Sequence, residues 1–455
     1  MPKKKTALTI EERLQQALVP AEEQPYEVPE NWVWVRLESV ASWGSGGTPS
    51  RKHEEYYNGD ILWIKTGELN NGWIYDTEEK ITDEGLKKSS AKLFPPYSVL
   101  IAMYGATIGK VAILGVPATT NQACACAVCN QSLLYMYLFY YCISQKNVFI
   151  EKGKGGAQPN ISQIILKQHP IPLPPLSEQQ RIVERIEEFF AKFDEAKERL
   201  QEVADSFAVR KAAILHKAFT GELTKQWRRE NGVSDESWEE KKLGEVGPWL
   251  GGGTPSTSHE EYWENGNILW VTSKDMKSTI IEDTLMKVNE IGVKNSSANY
   301  IDEPALLVVM RSGILRRTFP VAMVKKPFTV NQDLKAIVPD KDDLEFLFWM
   351  LLSNEQLILN TCMKNGTTVE SINSKALKEF AFKCPSLPEQ HEIVRLIDDL
   401  LERERSAQQA AEQALASIDL MKKSILARAF RGELGTNKAS EASAVELLKQ
   451  VLAEN

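Results

Sequence analysis

The sequence lacks the marks of membrane and secreted proteins. Its longest apolar run, residues 133–143, is too short to span a bilayer and is typical of a buried helix. The basic start Met-Pro-Lys-Lys-Lys has no apolar segment behind it, so it predicts a solvated tail and no secretory signal. We therefore expect a cytoplasmic protein that does not associate with membranes.

Cysteine and histidine are also scarce, with six and five residues among 455. No histidine lies near the cluster of Cys124, Cys126 and Cys129, and the cysteine spacing is not that of a zinc site. In the internal repeat described below, Cys124 and Cys126 align with the apolar residues Leu334 and Ala336. We expect reduced thiols at apolar strand positions and no bound metal.

An excess of positive charge is missing as well. The 54 basic and 62 acidic side chains give a net charge of −8, which does not favour nucleic-acid binding by the chain as a whole. Acidic helices are nevertheless compatible with a locally basic face elsewhere. With 43% hydrophobic and 25% charged residues, the composition is that of an ordinary globular protein, long enough for about three domains.

Catalytic motifs are absent or incomplete. There is no P-loop, which argues against an intrinsic ATP-driven motor. Residues 43–46, Trp-Gly-Ser-Gly, imitate the glycine loop of adenine methyltransferases, and residues 94–97, Phe-Pro-Pro-Tyr, imitate their catalytic tetrapeptide. Phe94 has no Asn or Asp side chain with which to hold an adenine amino group, and the glycine loop has no acidic ribose partner. We do not expect an enzyme.

What the sequence does contain is an internal repeat. Its matching segments are Gly-Gly-Thr-Pro-Ser at 46–50 and 252–256, Glu-Glu-Tyr at 54–56 and 260–262, Gly-x-Ile-Leu-Trp at 59–63 and 266–270, Asn-Gln at 121–122 and 331–332, and Ala-Phe-x-Gly-Glu-Leu at 218–223 and 429–434. The chain is therefore two copies of one unit. Within the globular parts, β-rich runs at 61–64, 98–103, 111–114 and 123–128 predict strands, and residues 132–144 and 344–352 predict helices.

Each copy ends in a long heptad pattern that follows a Glu-Gln pair, at residues 178–179 and 389–390. Bulky residues recur at alternating steps of four and three, which is typical of a coiled coil. About 40 residues in each helix give a length of roughly 60 Å. The predicted seam residues are Ile182, Ile186, Phe189, Phe193, Leu200, Val203 and Phe207 in the first helix, and Ile393, Ile397, Leu400, Ala411, Ile418 and Met421 in the second.

The volumes along the seam favour an antiparallel pair. The large Phe189 and Phe193 lie toward the start of the first helix, and the small Ala411 and Ala414 lie toward the far half of the second, so large residues meet small ones only if the helices run oppositely. Folding of each helix back onto its own domain is the alternative. The predicted fold is α+β, with two pseudo-twofold-related globular domains joined by two long helices that form an antiparallel coiled coil.

This ordered set of motifs, present twice, resembles the specificity subunit of type I restriction–modification enzymes. The resemblance covers residues 29–434 and includes Gly-Gly-Ala-Gln-Pro-Asn at 155–160, where the second copy departs with Asn-Gly-Thr-Thr-Val at 365–369. It implies two target-recognition domains, each reading one half of a bipartite, asymmetric DNA site. The implied organisation is an N-terminal arm with a short helix (1–28), the first recognition domain (29–175), a conserved-region helix and linker (176–236), the second recognition domain (237–386), a second conserved-region helix (387–434) and a C-terminal helical tail (435–455).

The resemblance also implies a non-catalytic subunit that binds no cofactor itself. The implied partners are double-stranded DNA, two adenine methyltransferase subunits that use S-adenosylmethionine, and ATP-dependent endonuclease and translocase subunits that carry ATP and Mg²⁺. Two alternatives remain open. The chain serves a fused methyltransferase–nuclease, or it is a protein-tethering scaffold that does not bind DNA.

Candidate DNA-reading residues lie where the two copies differ or directly after the Trp-containing strands. They are Lys65, Thr66, Tyr104, Thr107, Lys110, Lys274, Arg311, Arg316, Arg317 and Lys325. Between residues 305 and 338 the basic residues are opposed in sequence by Asp333 alone. Arginine forks read guanine edges and lysines neutralise phosphates, although a solvated basic loop is the alternative for each residue. Because both copies share the Asn-Gln pair, we favour a turn-stabilising role for it over adenine contact.

Overall fold

The computed structural model describes residues 9–153, 160–364 and 369–454. The chain divides into two compact units, Met1–Leu200 with Gln413–Asn455 (unit 1) and Gln201–Glu412 (unit 2). Each unit holds one globular copy of the repeat together with parts of both long helices. The Gly-Gly-Ala-Gln-Pro motif at 155–159 and residues 365–368 of the second copy lie outside the described residues.

Unit 1 is a mixed structure of short strands and helices. Its strands are β1 (Val33–Arg36), β2 (Ala41–Ser45), β3 (Tyr57–Ile64), β4 (Trp73–Ile74), β5 (Lys80–Ile81), β6 (Val99–Ala102), β7 (Val111–Leu114), β8 (Thr119–Thr120), β9 (Cys124–Cys129) and β10 (Pro170–Leu173). Its helices include α1 (Ile10–Ala17), α2 (Leu37–Val40), α3 (Asp83–Lys87), α4 (Tyr135–Ser144), α5 (Lys146–Lys152), α6 (Gln163–Lys167) and the first part of α7 (Leu176–Asp205).

A five-stranded sheet in the order β2-β9-β6-β7-β4 forms the centre of unit 1, with further sheets β5-β3-β8 and β1-β10. Strands β6 and β7 are buried at every position, because they read Val-Leu-Ile-Ala and Val-Ala-Ile-Leu, continuous apolar runs typical of strands covered on both faces. Cys124 and Cys126 lie on β9 and are fully buried. Burial raises the pKa of the Cys126 thiol to about 12, so this thiol is protonated at neutral pH.

Unit 2 repeats this plan. Its elements are α8 (Phe207–Phe219), α9 (Lys225–Glu230), β11 (Glu239–Lys242), β12 (Trp249–Leu250), β13 (Ile268–Val271), β14 (Lys287–Val288), α10 (Glu290–Lys294), β15 (Ala305–Val309), β16 (Val321–Val324), β17 (Phe328–Val330), β18 (Leu334–Ile337), α11 (Leu344–Ser353), α12 (Glu355–Cys362), α13 (Ser374–Lys378), β19 (Ala381–Cys384) and the first part of α14 (Leu387–Ala429). The sheets are β12-β18-β15-β16, β14-β13-β17 and β11-β19. The remainder of α14 and α15 (Ala444–Glu454) belong to unit 1.

The two long helical segments differ in continuity. The heptad pattern predicts one helix of about 40 residues in each copy, but α7 and α8 are separated at Ser206 whereas α14 is unbroken over 43 residues. At the interruption, the Ser206 hydroxyl donates to the Val203 carbonyl at 3.0 Å and accepts from Arg210, which competes with regular helical bonding. No helix within the described residues has the length and hydropathy needed to span a membrane.

The helices run antiparallel within each unit, as the seam volumes predict. In unit 1, Ile182 and Ile186 share a core with Leu426, and further along α7 Asp194 pairs with Lys422 at 2.5 Å. In unit 2, Leu215 near the end of α8 shares a core with Ile393 at the start of α14, while the earlier Arg210 pairs with Glu404 at 2.5 Å. In both units, later residues of the first helical segment contact earlier residues of α14, as an antiparallel pair requires.

The buried stripe follows a slightly different path from the predicted seam. Ile182, Ile186, Ile393, Ile397, Ala411 and Ile418 are buried, Phe189, Phe193, Leu200, Phe207 and Leu400 are half-buried, and Val203 and Met421 are 39% and 47% exposed. Leu401 is buried in place of Leu400, and Leu426 is buried beyond Met421. A straight α-helix drifts by about 20° per heptad relative to a strict seven-residue repeat, so the buried stripe moves on by one residue.

Candidate nucleic-acid interface

In unit 1 the candidate reading loop leaves the central sheet directly after β6. Tyr104 forms a β-bridge with Asn160, and the Ile161 amide donates to the Met103 carbonyl at 2.9 Å. Thr107 caps the turn by donating to the Tyr104 carbonyl at 2.7 Å. The Tyr104 side chain is 46% exposed, so this loop presents an aromatic ring and a hydroxyl at the edge of the sheet.

The same construction occurs in unit 2 with different side chains. Arg311 forms a β-bridge with Ser371, and the Ile372 amide donates to the Met310 carbonyl at 2.8 Å. Leu100 pairs with Cys126 in unit 1 and Leu307 pairs with Ala336 in unit 2. Because Cys126 and Ala336 are equivalent in the repeat, this register places Tyr104 and Arg311 at the same position. The scaffold is therefore shared and the side chain presented on it is not.

The basic stretch of unit 2 is less free than its sequence indicates. Sequence alone offers Asp333 as the only opposing acid, whereas the fold brings in three more acidic side chains from distant positions. The ion pairs are Arg311 with Asp333 at 2.8 Å, Arg316 with Glu370, Lys325 with Glu345 at 2.7 Å and Lys326 with Glu282 at 2.5 Å. Arg317 is exposed and has no ion-pair partner among the residues that the structure describes.

The other sequence candidates lie in different settings. Lys65 donates to Glu79 at 2.9 Å and to Glu78 at 3.3 Å, and the hydrogen bond that it donates to Glu79 raises the pKa of the Lys65 ammonium. Thr66 begins a single 3₁₀ turn and is half-buried. Lys110 is half-buried at the end of the Tyr104 loop, and Lys274 is exposed after β13. Lys65 is thus engaged within its own domain.

The Asn-Gln pair forms the same turn in both units. The Asn121 amide donates to the Ile64 carbonyl at 2.9 Å, and Thr48 donates to the Gln122 side-chain oxygen at 2.5 Å. In unit 2, Asn331 makes the corresponding backbone bond to Val271 at 3.1 Å. Gln332 accepts from Thr254 at 2.9 Å. These are the hydrogen bonds that the turn-stabilising interpretation requires.

The glycines of the repeated Gly-Gly-Thr-Pro-Ser motif allow two segments of backbone to touch. A Cβ atom on Gly46 would lie 1.7 Å from the Thr120 carbonyl oxygen, and one on Gly252 would lie 1.9 Å from that of Val330. Only hydrogen fits at such distances. Residues 43–45 of the supposed cofactor loop are part of strand β2. These glycines therefore pack the sheet and the turn together.

A buried carboxylate fastens the first long helix to unit 1. Glu178, with 0% of its surface exposed, accepts from the Trp32 indole at 2.8 Å, from Thr436 at 3.2 Å and from Asn437 at 2.8 Å. Its neighbour Gln179 donates to the Ser132 carbonyl at 2.8 Å. The start of α7 is thereby tied both to the segment that follows α14 and to the globular domain.

Unit 2 contains the equivalent buried glutamate, Glu389, which is held by an ion pair. Glu389 is also 0% exposed, and it accepts from Arg228 at 2.7 Å and from Thr224 at 2.6 Å. Gln390 accepts from the Asp343 amide at 2.8 Å. The sequence predicted both Glu-Gln pairs only as helix starts, because the partners of Glu178 and Glu389 lie far away in the chain and are brought together by the fold.

Comparison with known proteins agrees with this architecture. The family model described as "Type I restriction modification DNA specificity domain" matches residues 29–205 and 235–414. The EcoR124I/EcoR124II specificity subunit of Escherichia coli is 33% identical over 277 residues, 59% of this chain and 63% of that relative. The MjaIX specificity subunit of Methanocaldococcus jannaschii is 25% identical, covering 83% of this chain and 88% of that relative. The EcoKI specificity subunit of E. coli is also 25% identical, with coverages of 94% and 96%.

Two solved structures share the fold. The HsdS subunit from Thermoanaerobacter tengcongensis superposes with a TM-score of 0.66 at 19% identity, covering 90% of this chain and all of that one. A chain from a study of assembly and conformational transition of the type I restriction–modification system gives a TM-score of 0.62 at 20% identity, with the same coverages. The two matches to the family model, which together span more than half of the chain, show that the chain belongs to the type I restriction–modification DNA specificity family, as a non-catalytic specificity subunit with two DNA target-recognition domains.

Proposed function

We propose that this chain reads a bipartite, asymmetric DNA site, with the Tyr104 loop of unit 1 on one half-site and the Arg311 loop of unit 2 on the other. The observation that carries the proposal is the shared register of the two loops. The same sheet and the same Asn-Gln turn present Tyr104 in one unit and Arg311 in the other. A protein in which two copies of one domain bind different half-sites needs a constant scaffold and different side chains on the loops that contact DNA.

The partners follow from the same proposal. Two adenine methyltransferase subunits, one for each repeat, would carry S-adenosylmethionine, and endonuclease–translocase subunits would carry ATP and Mg²⁺, while this chain itself holds no cofactor. Each unit has the same buried Glu-Gln pair at the start of a long helix, and this equivalence supports one methyltransferase attachment site for each unit. All six cysteines are free thiols, which suits a reducing compartment and supports a cytoplasmic location.

One alternative keeps the same DNA-reading role with a different partner. A fused methyltransferase–nuclease would present the same requirement for a bipartite reader, and the reading frames beside the gene distinguish the two arrangements. A protein tether that ignores DNA is disfavoured by the family membership. Salt dependence separates that tether from a DNA reader.

We expect binding of the assembled complex to its DNA site to fall steeply with salt. Because neutralised phosphates release counterions, a complex with six to ten phosphate contacts loses about 10³- to 10⁵-fold in affinity between 50 and 200 mM salt. Fluorescence anisotropy on duplexes with the methylated motif and with a scrambled motif measures this. The isolated chain, at a net charge of −8, serves as the weakly binding control. Affinity that does not change with salt would instead indicate a protein tether.

A further inference from the structure

Two arginines of the unit 2 loop are held by carboxylates through the same atom. Arg311 Nε donates to Asp333 Oδ1 at 2.8 Å, and Arg316 Nε donates to Glu370 Oε1. Their side chains are 57% and 69% exposed. Within the described residues, no hydrogen bond uses the Nη atoms of either guanidinium. The hydrogen bond from Arg316 lowers the pKa of the Glu370 carboxyl, so this carboxylate is charged at neutral pH.

The backbone joins these side chains into one cluster. The Asp333 carbonyl accepts from the Arg311 amide at 3.2 Å, and the Glu370 carbonyl accepts from the Ser312 amide at 3.0 Å. The bridge between Arg311 and Ser371 places Glu370 beside the same loop. The positions of both carboxylates are therefore fixed relative to the loop that carries the arginines.

A guanidinium fixed at Nε presents its two terminal amino groups as a fork. That fork matches the N7 and O6 acceptors of guanine in the major groove. Holding the side chain in place before binding reduces the entropy lost on contact. An arginine already paired with a carboxylate is, by contrast, a poor phosphate ligand, because the pair is close to neutral. Arg317 has no such partner in the described part of the chain and suits a phosphate.

Unit 1 lacks this arrangement. Tyr104 occupies the position of Arg311, and Ala123 follows its Asn-Gln turn where Asp333 follows that of unit 2. Residues 104–110 contain no arginine. The two units therefore differ in the chemistry that they offer to a base pair.

We infer that unit 2 reads a half-site with two guanines, one contacted by Arg311 and one by Arg316, and that Asp333 and Glu370 are positioning residues for these contacts. The inference rests on the proposed function and adds the class of half-site to it. Unit 1, without a fixed arginine, reads its half-site by other contacts.

The test uses the assembled complex with its methyltransferase subunits and the site found by modified-base sequencing. Replacing one guanine at a time by 7-deazaguanine removes the N7 acceptor, and we expect binding to fall roughly 10- to 100-fold at two guanines of one half-site. In Arg311→Ala the penalty disappears at one of these guanines, and in Arg316→Ala at the other. Asp333→Asn and Glu370→Gln reduce the same two penalties while the complex remains assembled.

Matched variants separate reading from folding. Arg311→Lys and Arg316→Lys keep the charge but lose the fork, so we expect them to lose the guanine preference while the complex remains assembled. Arg317→Ala should weaken binding to all duplexes alike and reduce the salt slope by about one.

Two results would overturn the inference while leaving the proposed function intact. One is specific binding that no 7-deazaguanine substitution weakens; the other is a penalty that persists in both arginine-to-alanine variants. Absence of any sequence preference in the wild-type complex would overturn the proposed function, and the inference with it.

Discussion

Glu389→Ala is expected to destabilise unit 2 by about 3–5 kcal/mol, because it leaves a buried arginine without its carboxylate. Glu389 is fully buried and the Arg228 side chain is only 5% exposed, with 2.7 Å between their charged atoms. The other acidic partner of Arg228, Asp235, is 59% exposed and compensates little for the lost charge. Urea unfolding of the purified chain, followed by circular dichroism, measures the loss.

Two variants control this prediction. Glu402 lies on the same helix with 71% of its side chain exposed, so Glu402→Ala should change the free energy of unfolding by less than about 0.5 kcal/mol. Replacing both members of the buried pair, as Arg228→Met with Glu389→Leu, should recover most of the lost stability, because no buried charge is left unpaired. A Glu389→Ala loss no larger than that of Glu402→Ala would refute the role of the carboxylate as a fastening.

Inserting four helix-forming residues into each long helix, after residue 200 and after residue 412, is expected to lengthen the unread spacer of the DNA site and leave both half-sites unchanged. Each insertion adds about one turn, or roughly 6 Å. At about 3.4 Å per base pair, that corresponds to roughly two additional base pairs. Modified-base sequencing of cells that carry the altered subunit reads the new motif directly.

A control insertion distinguishes the effect of helix length from a general disturbance of the helix pair. The same four residues placed in only one helix mismatch the antiparallel pair, and we expect loss of methylation instead of a longer spacer. A paired insertion that alters the bases of either half-site while the spacer stays constant would contradict the assigned role of the helices.

The antiparallel pairing could be predicted from the sequence, because the volume of each side chain is known from its identity and does not depend on the tertiary fold. The predicted seam residues agree less well with the buried stripe after the first turns of each helix. Leu401 replaces Leu400 in the buried stripe and Met421 is exposed, since a straight helix departs from a strict heptad by an amount that accumulates along its length. The interruption at Ser206 depends on one hydroxyl and on Arg210, a local competition that periodicity does not register.

The charge state of the reading loop could not be predicted in this way. Glu370 lies 54 residues from Arg316 and Glu345 lies 20 residues from Lys325, so their pairing depends on the tertiary fold. The identity of the loop itself was accessible, because comparison of the two copies showed where they diverge. Which atoms of each arginine remain available is known only once the carboxylates are placed.

Adenine methylation of chromosomal DNA in cells with and without this gene tests whether the chain sets the specificity of a methyltransferase. Single-molecule modified-base sequencing should find a bipartite, asymmetric adenine-methylated motif in the parent, its loss in the deletion strain, and its return when the gene is restored. A deletion strain whose adenine methylation is indistinguishable from that of the parent, in cells that express the methyltransferase subunit, would contradict it.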